Sequence, residues 1–115
     1  MLMHDRADVL AKIAASTAAA VRDRELRGAA GRAAAESLAR GSGWSVSDVV
    51  CTCGPGDRAF EEVHRQQSIG VVLSGTFQHR SRDGRHVMSA GAFLLGNPGD
   101  GYECDHEYAS GDRCV

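Results

Sequence analysis

The sequence predicts a mainly β protein, a small barrel or sandwich of short strands preceded by an α-helical arm. Three observations carry that expectation. From Phe60 to Gly99 apolar residues recur largely with period two, as on a strand with one buried face. Turn signals at Ser74-Gly75, Asp83-Gly84 and Asn97-Pro98-Gly99 interrupt that pattern, and strands bounded about every 8–12 residues belong to sandwiches and barrels. Before Gly41, Leu10, Ile13, Thr17 and Val21 recur at three- and four-residue steps with alanines between them, the period and the composition of a helix. Two units are expected: a helical arm over 1–43 and a β domain over 44–115.

Taken in order, residues 5 to 23 read as a helix, with Leu10, Ile13, Thr17 and Val21 on one face. Asp5 is placed to cap it, and Asp8 sits where the helix dipole favours negative charge. Arg22 to Arg27 finishes or leaves the helix before Gly28-Ala29-Ala30-Gly31 breaks it. A second helix is expected from Arg32 to Arg40, ended by Gly41-Ser42-Gly43. Its face is alanine plus Leu38, so it needs a neighbour, either the β domain or a second copy. Trp44 to Cys53 opens the β half, with a change of phase after Asp48 that predicts a bulge. Gly54-Pro55-Gly56-Asp57 turns, and Phe60 to His64 returns as a strand. Ile69, Val71 and Leu73 share one side of the next strand. Thr76 to Arg80 and His86 to Met88 form a hairpin around Asp83-Gly84. Ala92 to Leu95 reads as a short buried run, and Tyr102 to His106 as a strand. Arg113-Cys114-Val115 looks like the beginning of another, as in a fragment of a longer polypeptide.

Composition narrows the function classes. With 24% charged and 43% hydrophobic residues, the chain has the make-up of an ordinary globular domain. A net charge of −2 leaves no basic footprint for nucleic acid. No apolar run approaches the roughly 18 residues of a membrane helix, and no signal-peptide core follows Met1. A cytoplasmic location is therefore expected. In that compartment the four cysteines are expected as thiols, not disulfides.

Cys51, Cys53, Cys104, His106 and Cys114 contain enough soft ligands for a zinc site, but a one-residue gap between paired cysteines suits strand packing equally well. Both readings stay open. Neither Cys51 nor Cys53 precedes a helix that would lower its pKa, so a nucleophilic cysteine is not expected. Glu61 and Glu62 alternate faces and make no acid–base pair. Small barrels bind ligands in their mouths through a few convergent polar groups. His64, Gln78, His79, Glu103 and His106 are the candidate ligand-binding set.

At four places the chain resembles a known family: His64, VVLSG (Val71 to Gly75), Asp83-Gly84-Arg85 and GAFLLGNPG (Gly91 to Gly99). The pattern looks like an RmlC-like cupin barrel. It is most similar to the N-terminal sensing domain of AraC-type transcription regulators, and HEYASGDRC (His106 to Cys114) is similar to segments of that group. The resemblance spans Trp44 to Val115. Metal-dependent cupins carry His-x-His in the first motif and a further His after Pro-x-Gly; neither is present here, so that active site is not expected. The regulators also carry two helix-turn-helix units, which this chain does not contain. The resemblance implies a non-enzymatic sensor of a small-molecule effector, with no cofactor, that pairs as a homodimer and reaches DNA only through another domain. A small cupin enzyme, an isomerase or dioxygenase, is the competing class, and a purely structural dimerisation module is a third.

Overall fold

The computed structural model describes residues 6–115; the expected cap at Asp5 lies outside them. One helix, α1 (Arg6–Leu26), is followed by nine strands. These are β1 (Ala33–Gly41), β2 (Trp44–Cys51), β3 (Phe60–Val63), β4 (Ser68–Gly75), β5 (Phe77–Ser81), β6 (Gly84–Met88), β7 (Phe93–Gly96), β8 (Gly101–Asp105) and β9 (Asp112–Cys114). They form a five-stranded sheet, β1-β2-β9-β4-β7, and a four-stranded sheet, β3-β8-β5-β6. The sheets are separate, so the expected barrel is not closed.

The helix runs through the charged segment and stops at a defined cap. Ala29 donates its N–H to the Arg24 carbonyl and Gly28 to that of Glu25, with Gly28 at φ 63°. Those are the two bonds of a Schellman cap. Of the four apolar-face residues, Thr17 and Val21 are buried and Leu10 stays exposed. The helix thus docks by its second half, where Thr17 Oγ1 lies 3.3 Å from Ser74 Oγ at the end of β4.

The expected helix from Arg32 to Arg40 is a strand instead, and residues 33–41 belong to the sheet rather than to a helical arm. β1 pairs with β2 from Ala33↔Cys51 to Gly41↔Trp44, so Ser42-Gly43 is a hairpin turn and not a helix stop. Alanine's helix propensity is a weak local preference. Here it loses to a tight turn that brings the segment beside a β-branched partner strand. The expected bulge after Asp48 falls on the other strand, between Ser37 and Ala39.

Two expectations about the core also change. On β4 the buried positions are Val72 and Ser74, whereas Ile69 is 68% exposed. In the Ala92 to Leu95 run, Leu94 packs on the core but Phe93 and Leu95 are exposed. On β4 the side that turns inward, with Val72 and Ser74, is the less apolar of the two, so period two alone pointed to the wrong side. The core itself is Val72, Phe77, Met88 and Cys104, with Ala92, Leu94, Tyr102 and Cys114 packed against it. At its rim Arg113 donates to both Asp48 oxygens at 2.9 and 2.7 Å. That paired bond ties β9 to β2 and holds the Asp48 carboxyl below its ordinary range.

Candidate functional site

The five residues expected to line one pocket are divided among three places. Strand alternation separates them first: on β5, His79 shares a face with the core residue Phe77, while Gln78 takes the other side. Glu103 pairs in register with Arg80 and forms an ion pair with it at the surface. Gln78 and Glu103 therefore lie on the outward face. His64 and His79 do converge, through Tyr102. The His64 ring stacks on Tyr102 at 4.4 Å between centroids, and the His79 ring at 5.4 Å. Tyr102 Oη donates to Glu62 Oε2 at 2.7 Å. Burial, with Glu62 second, raises the Tyr102 phenol, which stays protonated as the donor.

Beside this stack an open groove of about 960 Å³ is lined by Glu62, Arg65, Arg80, Arg82, Tyr102 and Glu103, with a few neighbours. Charges of both signs next to an aromatic floor suit a small polar molecule. Tyr102 and Glu62 were not among the sequence candidates. The alternation Tyr102-x-Cys104-x-His106 was the available signal, since Cys104 is a core residue and its period-two neighbours share its face.

His79 makes the stack sensitive to pH. Burial first, and then the nearby His64 and His86, hold its pKa below 6.5. The folded state thus favours the neutral ring, and the unfolded chain binds more protons in the window below pH 6.5. Stability is then complete above that pH and falls as acidification carries the solution down through the folded pKa. The slope is bounded by one proton, about 1.4 kcal/mol per pH unit. Thermal melts between neutral and mildly acidic pH should show this loss in the parent chain, and His79→Gln should flatten it. An equal slope in both proteins would show that His79 is not its source.

The third place is at the opposite end of the sandwich. Among the described residues, Cys51, Cys53 and His106 present ligand atoms that all lie within 4.8 Å of one another, and all three are buried. Cys51 Sγ is 3.4 Å from His106 Nε2, and Asp112 Oδ2 is 3.1 Å from the same nitrogen. Cys104 and Cys114, also among the expected metal ligands, are not part of this group and pack on the hydrophobic core. All four cysteines are free thiols. Burial followed by the Asp112 charge pushes Cys104 and Cys114 up to about 12, and raises Cys51 by the same causes. A raised thiol carries less of the thiolate form that a nucleophile needs.

Two sheets around a small core, an aromatic stack at one end and a polar groove beside it define a ligand-binding domain of the cupin type. A family model described as the AraC-like ligand binding domain matches residues 47–113, more than half of the chain, and the chain belongs to that family. No curated protein matches it. Among solved structures it is similar to a protein of unknown function from Rhizobium leguminosarum, with 17% identity, a TM-score of 0.60, and coverage of 82% of this chain and 86% of that one. It is also similar to the Schizosaccharomyces pombe Cnp3 cupin domain, with 12% identity, a TM-score of 0.59, and coverage of 71% and 57%. A Cupin 2 conserved barrel domain protein from Salinispora arenicola matches with 18% identity, a TM-score of 0.52, and coverage of 73% and 71%. At these identities the likeness is one of fold. Among the described residues no helix is long and apolar enough to cross a membrane.

Proposed function

We propose that this chain is the effector-sensing and dimerisation domain of an AraC-type transcription regulator in the cytoplasm, reaching DNA through a separate DNA-binding half. The observation that carries this reading is the family match over 47–113, together with the groove beside Tyr102. A small polar effector binds there between Arg65, Arg80, Arg82 and Tyr102, the groove-lining ring of the stack. Binding favours one arrangement of the sandwich and of α1 docked at its end, and that population shift changes how the DNA-binding half is presented. The domain itself is not an enzyme and makes no specific contact with DNA, in keeping with a net charge of −2.

The test is a thermal-shift screen with small carboxylates, phosphates, amines and sugars. An effector at about 100 times its Kd adds roughly 2.7 kcal/mol of stability, and Tyr102→Ala should abolish that shift while leaving the protein folded. A screen in which no compound stabilises the chain, or one in which a stabilising compound is chemically converted, would sink the sensor reading.

A further inference from the structure

We propose that Cys51, Cys53, His106 and Asp112 form a tetrahedral site for a divalent transition metal of the zinc class. The site clasps the two sheets together beside helix α1. Two thiols and an imidazole are the donor set that zinc prefers, and a carboxylate oxygen completes it.

Two of the separations approach those of such a centre. The ligand atoms of Cys51, Cys53 and His106 all lie within 4.8 Å of one another. Asp112 is outside that group and completes the site by moving its carboxylate in. Zinc bonds of about 2.3 Å to sulfur and 2.0–2.1 Å to nitrogen and oxygen, at tetrahedral angles, place S and N about 3.5 Å apart and N and O about 3.4 Å apart. The observed Cys51 Sγ to His106 Nε2 distance is 3.4 Å, and the His106 Nε2 to Asp112 Oδ2 distance is 3.1 Å. Small shifts of the side chains would admit the ion.

A second observation points to a cation independently of the cysteines. The Asp112 side chain is only 7% exposed, and its Oδ2 meets no well-aligned hydrogen-bond donor, with His106 Nε2 as an ion-pair neighbour at 3.1 Å. A buried carboxylate oxygen held by that contact and by no hydrogen bond is incompletely compensated. A metal ion among these groups would satisfy it and the thiolates at once. On binding, the two thiols release their protons to solvent, and no oxidant or reductant is required.

The ligands also come from both halves of the fold. Cys51 ends β2 and Asp112 begins β9, both in the five-stranded sheet, and Cys53 lies in the loop just after β2. His106 follows β8 in the four-stranded sheet. Next to Asp112, Gly111 lies against Val21 and Thr17 of α1. Four protein ligands leave no open coordination position, which marks a structural centre rather than a catalytic one.

The experiment uses the whole 115-residue chain, reduced, stripped with a chelator and titrated anaerobically with Co2+. One equivalent should bind, with thiolate-to-cobalt charge-transfer absorption in the near ultraviolet and intense visible bands of tetrahedral cobalt; Zn2+ should displace it. Cys51→Ser, Cys53→Ser and Asp112→Asn should each weaken binding by about 10–100-fold or more, whereas Cys104→Ser and Cys114→Ser should bind as the parent does. Should a variant fail to fold, alkylation of the parent chain still decides. Zn2+ should protect Cys51 and Cys53 and leave the rates at Cys104 and Cys114 unchanged. No saturable Co2+ spectrum from the parent chain, which would leave a histidine–aspartate ion pair only, overturns the proposal. So does binding that survives loss of both Cys51 and Cys53, or protection confined to the other two thiols.

Discussion

Gly75→Ala should lower the melting temperature by more than about 10 °C, the largest effect expected of any single methyl group in this chain. Gly75 closes β4 with φ at 82°, a conformation that costs a residue with a Cβ about 1–2 kcal/mol. The added carbon would also sit 2.0 Å from the Gly111 carbonyl oxygen, 2.6 Å from Asp112 Cα and 2.8 Å from Asp112 Cβ. None of those atoms is the tip of a flexible side chain, so relief requires moving β9 away from β4. That adds about 1–3 kcal/mol of overpacking strain, against a total stability of roughly 5–15 kcal/mol for a domain of this size. Gly56→Ala is the control. A Cβ there meets nothing within 4 Å, and its stability should change by less than about 0.5 kcal/mol. Calorimetric melts of the two variants decide the matter; equal melting temperatures would show that β9 is free to move at this corner.

Phe93→Asp should abolish self-association, the second large effect, and this expectation rests on the proposed dimer. β7 is an edge strand of the five-stranded sheet, and it pairs Phe93 with Val71 and Leu95 with Ile69. Ile69, Phe93 and Leu95 are 68%, 66% and 76% exposed. They form one apolar patch beside a row of unpaired backbone groups, where a second copy would bury both. A charge in the middle of such a patch commonly removes 2 kcal/mol or more, about a 30-fold loss or greater. Val87→Asp, at an equally exposed position on β6 of the other sheet, should leave the dimer intact. Sedimentation on the order of 10 µM separates the outcomes. A monomeric parent chain, or a Phe93→Asp variant that still pairs, would refute an interface on this face.

Much of this protein was legible before any tertiary contact was known. The period-two runs and the turn residues between them were sufficient for a mainly β domain. Leu10, Ile13, Thr17 and Val21 were sufficient for the first helix, and the motifs from His64 to Gly99 for the cupin likeness. Each of these signals is local, because helix period, turn chemistry and strand alternation arise between residues close in the chain. What the sequence left open depended on partners far along it. Ala33 to Gly41 became a strand because β2 was available across a hairpin. Val72 rather than Ile69 turned inward because the opposing sheet covered the side of β4 that carries Val72 and Ser74. His106 met Cys51 across 55 positions, and Tyr102 met His64 and His79 from three separate segments. Spacing along the chain carries no record of such meetings, since packing of the two sheets decides which side chains share a site.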